Sequence, residues 1–149
     1  MAKREISLRE RALAMLARRE HTRAEMARKL SPHSESPEQV EQLLDALVAH
    51  GWLCEARFAE SRANTLSRKF GSRKIEYDLR SRGVSDEVVE RSVEQARISE
   101  TENCRAAWQR KFGALPQNAA ERGRQMRFLA GRGFSADAVR QVLKAGDSD

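Results

Sequence analysis

The sequence has little of what builds metal sites or membrane spans. Its 149 residues include two cysteines and three histidines. Cys54 and Cys104 lie far apart and outside any CxxC motif, and the histidines show no ligand spacing. We therefore predict no metal site and no cofactor, and we expect the two thiols to be free and buried.

Long apolar runs are also missing. No stretch approaches the roughly 18 apolar residues that a membrane span requires. The N-terminal residues are charged from the start and lack the apolar core of a secretory signal. These features predict a cytoplasmic protein with no membrane partner.

Aromatic residues make up 5% of the chain, and β-branched residues are few. No segment alternates apolar and polar residues in the way a half-buried strand does. Ala, Leu, Arg and Glu dominate, and these residues favour helix. The sequence therefore predicts an all-α fold.

Helix boundaries are marked most clearly around 37–50. Ser36 is the predicted N-cap, Pro37 follows at the first helical position, and Gly51 is the predicted C-terminal cap. Similar signals predict nine helices in all. Besides 37–50 they lie at about 8–19, 22–30, 58–70, 72–82, 86–97, 104–112, 122–132 and 136–145. Thr22, Ser72 and Ser85 are further predicted N-caps.

The helices repeat. Shifting the chain by about 50 residues places Leu79 and Arg82-Gly83 on Leu129 and Arg132-Gly133, and a shift of about 49 places Met26 on Ile75. We predict three tandem three-helix repeats, of the helix-turn-helix kind, that stack into an elongated molecule. Their predicted limits are 1–51, 52–99 and 100–149. Gly131-Arg-Gly133 imitates part of a dinucleotide-binding motif, but Gly133 is better interpreted as a helix cap because a helix precedes it.

The chain carries a net charge of +6, and arginine is the main basic residue. Arginine suits contact with phosphate or carboxylate, and the third repeat holds the largest share of the positive excess. The candidate partner-binding residues are Arg68, Lys69, Arg73, Lys74, Arg110, Lys111, Arg124, Arg127 and Arg132. In the middle repeat, a solvated helix face is an equally good interpretation. On the helix at 122–132, Met126, Leu129 and Ala130 should face the core, as should Trp52 and Trp108 elsewhere. Tyr77 could be exposed on its short helix, but core packing is the better interpretation.

No nucleophile–base pair, phosphate loop or cluster of metal-binding carboxylates is evident, so catalysis is not predicted. The residues from Glu55 to Arg62, followed by Arg73-Lys74-Ile75, Leu79 and Arg82-Gly83-Val84, resemble the RecX family of recombination regulators. The pattern recurs at Leu129, Arg132-Gly133-Phe134-Ser135 and Val139, and the resemblance covers nearly the whole chain. Glu55 stands where that family commonly has Asp.

This resemblance implies three tandem three-helix units without a catalytic site. It further implies a negative regulator that binds the RecA recombinase, lies in the groove of the RecA–DNA filament, and inhibits its recombination and ATPase activities. That role would place the chain in DNA repair and the SOS response, and we expect a monomer. The alternative is a tandem-repeat protein that binds DNA directly, since short three-helix units and a basic charge also suit phosphate contact.

Overall fold

A computed structural model describes residues 5–144 of the chain. Nine α-helices and one short 3-10 turn account for the regular structure of those residues, and no strand occurs among them. The predicted all-α class is therefore confirmed. Predictions that concern residues 1–4 and 145–149, including the predicted end of the last helix at Ala145, lie outside the described residues.

The helices fall into three consecutive groups of three. The first repeat contains α1 (Leu8–Arg18), α2 (Arg23–Leu30), the 3-10 turn Ser31–His33 and α3 (Pro37–Ala49). The second contains α4 (Glu55–Leu66), α5 (Ser72–Ser81) and α6 (Asp86–Ile98). The third contains α7 (Glu100–Lys111), α8 (Ala119–Gly131) and α9 (Ala136–Leu143).

Each repeat has its own hydrophobic core. Met26, Leu30 and Leu44 are fully buried in the first repeat. Ile75 and Leu79 occupy the matching place in the second, and Leu129 does so in the third, beside Cys104 and Trp108. Because each apolar stripe closes on helices of its own repeat, the repeats are three small bundles in sequence rather than one shared core.

Side-chain caps begin several helices, though not all the predicted ones. Thr22 and Ser36 accept hydrogen bonds from the N–H groups of Glu25 and Gln39, at 3.0 and 3.2 Å. Ser85 is the N-cap residue of α6, as predicted, whereas at the predicted Gly71-Ser72 cap it is Gly71 that takes the N-cap position of α5. Ser72 is already the first residue of α5, and the Ser85 side chain makes no capping bond. Carboxylates from other helices serve these two helix starts instead.

Several side chains predicted to be buried are exposed. Tyr77 and Trp52 are 76% and 43% exposed, and Met126 is 39% exposed. Trp52 stacks on His50, with ring centroids 4.8 Å apart, because the turn after α3 carries both rings out of the core. Trp108 is buried as predicted, but Ala130 is exposed. Both cysteines are free. Cys104 is buried, which raises the pKa of its thiol to about 12, whereas Cys54 is only half-buried.

The predicted glycine caps are confirmed by backbone angles. Gly51, Gly83 and Gly133 have φ of +74°, +79° and +88°, the region that residues with a Cβ rarely adopt. Gly83 is the cleanest of them for an experiment, because a Cβ there would meet nothing within 4 Å in the described chain. At Gly133 a Cβ would also collide with Lys74.

Replacing Gly83 with Val should lower the free energy of unfolding by about 1–2 kcal/mol, the cost of a left-handed conformation for a side chain with a Cβ. Urea denaturation followed by circular dichroism measures this change. Gly131→Ala is the matched control: Gly131 lies at the end of α8 with open space around it, so alanine should cost nothing. A wild-type midpoint for Gly83→Val would contradict the strain assigned to this cap.

Candidate functional site

The predicted site residues share one electrostatic property. Eight of the fifteen other arginines in residues 5–144 are paired with carboxylates, as in Arg23 with Asp45 and Arg62 with Asp78. In residues 5–144 no ion pair is made by any of the candidate site residues. Glu76 and Asp78 pair instead with the neighbouring Arg80 and Arg82. The solvated, balanced face therefore describes that part of the middle repeat, while the candidate cations keep their charge available to a partner.

Arg132 lies at the centre of the basic surface, just after α8. Its guanidinium carbon is 5.3 Å from the ring centroid of Phe70 and 5.1 Å from that of Phe128. The ammonium groups of Lys74 and Lys111 lie over the same two rings, at 4.9 and 5.5 Å. Cation–π contacts hold these cations in place without neutralising them.

A small depression of about 200 Å³ opens beside this arrangement. Lys69, Arg110, Lys111 and Arg132 line it, together with Ala107 and Phe128. We call these four cations with Phe70 and Phe128 the cation–aromatic site. The depression is smaller than the roughly 300–1,000 Å³ of small-molecule pockets, so it suits one phosphate or carboxylate group of a larger partner.

The site is built by two repeats together. Lys69 and Phe70 follow α4 of the second repeat, whereas Arg110, Lys111, Phe128 and Arg132 belong to the third. Arg110 donates a hydrogen bond to the carbonyl oxygen of Arg68 at 2.6 Å, which joins the two sides. The Arg68 side chain itself is exposed next to the site.

Arg73 and Lys74 lie at the start of α5, next to a second depression of about 510 Å³. Tyr77 lines the same depression and is largely exposed. Core packing was the preferred prediction for Tyr77, and the structure places this side chain at the surface instead. Tyr77 lies four residues after Arg73 and three after Lys74, on the same side of the helix. This spacing is the signal that could have indicated an exposed side chain.

Arg124 and Arg127 are exposed on α8, as predicted. Arg124 precedes Phe128 by four residues and so lies on the same side of the helix as the cation–aromatic site. Arg127 folds back along its helix towards Gly123, whose missing Cβ leaves room for the guanidinium. The described contacts do not bring these two arginines into the depression.

The sequence repeat explains why Arg132 has no carboxylate partner in the described chain. Its equivalent in the second repeat, Arg82, is paired with Asp78 at 3.0 Å. Burial raises the pKa of Asp78. Hydrogen bonding and charge from Arg62, together with the charge of Arg82, outweigh that effect and lower the pKa below its usual range, so the carboxyl is ionised. The position equivalent to Asp78 in the third repeat is Phe128. One substitution between repeats therefore replaces a neutralising partner with an aromatic platform.

In the described residues no group of three or more His, Cys, Asp or Glu side chains could hold a metal ion. None of the described helices is long and apolar enough to cross a membrane. The fold and the site together define a tandem three-helix-repeat protein with an unpaired cationic surface, a class suited to binding a polyanionic or acidic macromolecule.

Comparison with known proteins identifies the family. Family descriptions for the first, second and third three-helix domains of RecX match residues 9–47, 55–92 and 99–143. The chain is 44% identical to the regulatory protein RecX of Leptothrix cholodnii, over 97% of this chain and 92% of that protein. It is 42% identical to that of Chromobacterium violaceum, over 96% and 93%. This chain belongs to the RecX family of regulatory proteins.

Solved structures agree on the fold. The crystal structure of RecX from Lactobacillus salivarius superposes with a TM-score of 0.75, covering 94% of each chain at 18% sequence identity. The resemblance inferred from the motifs is thus confirmed, as are the three tandem three-helix repeats.

Proposed function

We propose that this chain is a negative regulator of the RecA recombinase that binds in the groove of the RecA–DNA filament and inhibits recombination and ATP turnover. The observation that carries the proposal is the cation–aromatic site, where four cations without carboxylate partners meet at one depression. Family membership supports a regulatory role, and the site supplies a surface for DNA phosphates or for acidic side chains of the filament.

The proposed mechanism is obstruction without chemistry. A chain of three repeats contacts successive protomers, so that several weak contacts together give strong attachment. Once attached, it impedes duplex entry and the protomer motions that accompany ATP turnover. We expect the protein to act in the cytoplasm as a monomer, within DNA repair, recombination and the SOS response.

Direct DNA binding is the second candidate, and one observation favours it. Tyr77 is 76% exposed beside Arg73 and Lys74, and an exposed aromatic ring between cations can stack a base of single-stranded DNA. In this alternative the recombinase is not required for attachment.

One comparison separates the two candidates. Binding is measured by fluorescence anisotropy on a labelled oligonucleotide, bare or coated with recombinase, over a salt series. A filament regulator should bind the coated strand many-fold more tightly at each salt concentration and should inhibit ATP turnover. Equal affinity for both strands, with a steep salt dependence, would instead establish the DNA-binding alternative.

A further inference from the structure

Glu100, the first residue of α7, is a buried carboxylate at the junction of the second and third repeats. It is 5% exposed. Its Oε1 accepts hydrogen bonds from the backbone N–H and the hydroxyl of Ser72, both at 2.9 Å, and from the N–H of Ser135 at 3.2 Å. Ser72 begins α5 in the second repeat, and Ser135 precedes α9 in the third. One negative charge thus serves two helix N-termini, where it is electrostatically favoured.

The backbones of the two repeats also touch at this junction. The N–H of Gly71 donates to the carbonyl oxygen of Arg132 at 2.9 Å, and that of Arg73 to Gly133 at 3.1 Å. A Cβ on Gly71 would lie 2.5 Å from backbone atoms of Gly133 and Phe134, closer than atoms can approach. Only glycine permits this contact.

The junction between the first and second repeats has corresponding parts in a different arrangement. Glu55 corresponds to Glu100 and accepts a hydrogen bond from the N–H of Ser85, within its own repeat. In the described chain, however, no bond joins Glu55 to Arg23, the counterpart of Ser72. Glu55 and Arg23 instead line a cleft of about 700 Å³. Gly83, the counterpart of Gly133, also borders this cleft.

The sequence explains why this cleft stays open. Thr22 stands where the second repeat has Gly71, so its side chain excludes the close backbone contact. The structure provides an ion pair across this junction, in which Arg57 Nε lies 3.0 Å from Glu20 Oε1. The side chains of Arg57 and Glu20 are 47% and 30% exposed, and ion pairs this accessible to solvent hold elements together weakly.

We propose that Glu100 is a positioning residue that fixes the second and third repeats as one rigid unit, while the first repeat turns against them as a separate arm. The inference rests on the proposed function in one respect: the cation–aromatic site draws its residues from both fixed repeats, so its geometry depends on Glu100. The arm would let one chain follow an irregular partner surface while the site stays preformed.

The test measures distances between repeats by pulsed electron paramagnetic resonance. Spin labels are attached to cysteines introduced at the exposed positions Gln42, Glu90 and Gln141, one per repeat, in a Cys54→Ala, Cys104→Ala background of confirmed helicity. We expect a narrow distance distribution for the 90–141 pair and a broad one for the 42–90 pair. Similar widths for the two pairs would overturn the proposal.

Variants then test Glu100 itself. Glu100→Ala should broaden the 90–141 distribution and raise several-fold the concentration needed to inhibit ATP turnover. Glu100→Gln keeps an acceptor oxygen and should restore most of the narrow distribution, a rescue that nonspecific damage to the fold would not show. Glu102→Ala, on the exposed side of the same helix, should change neither readout.

An unchanged 90–141 distribution in Glu100→Ala would refute the role of Glu100. The distances are measured without recombinase or DNA. Failure of the filament model would therefore leave them unaffected, and the two ideas can fail separately.

Discussion

Reversing the charges of Lys69 and Lys111 together should remove most of the inhibition of recombinase ATP turnover while leaving the helical content unchanged. Both side chains line the cation–aromatic site from opposite repeats, and both are exposed and without ion pairs in the described chain. A hydrogen bond to a charged group contributes about 1.5 kcal/mol or more. Losing two such contacts should therefore weaken binding by about 3 kcal/mol, roughly a hundredfold, before any added repulsion.

The measurement is a titration of ATP turnover with wild-type and Lys69→Glu, Lys111→Glu protein. Arg28→Glu with Lys29→Glu is the matched control. These exposed residues lie in the last turn of α2 as Lys111 does in that of α7, and the change in net charge is the same. The control should inhibit nearly as well as wild type, which would separate a local site from overall charge.

Arg124→Glu with Arg127→Glu gives a graded comparison. These arginines are exposed on α8 but lie outside the depression, so their reversal should weaken inhibition less than reversal of Lys69 and Lys111. The opposite order would move the main contact onto the outer face of α8. Full inhibition by the Lys69, Lys111 variant would remove the cation–aromatic site from the proposed mechanism.

The repeat alignment accounts for how much of this fold could be predicted. Glycine caps and apolar spacings are local signals, and they correctly place Gly83, Gly133, Leu79 and Leu129. The same alignment also explains the site, because Phe128 in the third repeat occupies the position that Asp78 has in the second. A comparison of repeats position by position would therefore have shown that Arg132 lacks the carboxylate partner that its counterpart Arg82 has.

Such local signals do not predict the contacts between repeats. Glu100 looks like an ordinary acidic residue at a helix start, a place where acidic residues are common and usually solvated. Its burial follows from the approach of α5 and α9, which are distant in sequence. Tyr77 and Trp52 were misassigned because aromatic character predicts burial on average. Ile75 and Leu79 form the buried side of α5 instead, and the turn after α3 carries Trp52 to the surface.

The buried face of α8 was mispredicted in an instructive way. A helical wheel favours Met126 over Gln125 as the core residue, but Gln125 is 6% exposed and Met126 is 39% exposed. Trp108 explains why Gln125 is the buried residue, because its indole N–H donates to Gln125 Oε1 at 2.8 Å. The Gln125 amide in turn donates to the carbonyl oxygen of Ala114 at 3.0 Å. A buried tryptophan needs a partner for its N–H, and glutamine supplies it.

Truncating Trp108 should consequently be among the most damaging changes in the third repeat. Trp108→Ala should lower the free energy of unfolding by about 3–5 kcal/mol through lost burial and a residual cavity. Gln125→Ala should cost about 1–3 kcal/mol, since it leaves the indole N–H buried without its acceptor. Met126→Ala is the control and should stay within about 0.5 kcal/mol, as exposed substitutions usually do. Urea denaturation measures the free energy of unfolding of all three variants. Because Trp108 and Gln125 are hydrogen-bonded partners, the double variant should lose less stability than the sum of the two single changes. A large loss in Met126→Ala with none in Gln125→Ala would restore the helical-wheel assignment and contradict this packing of α8.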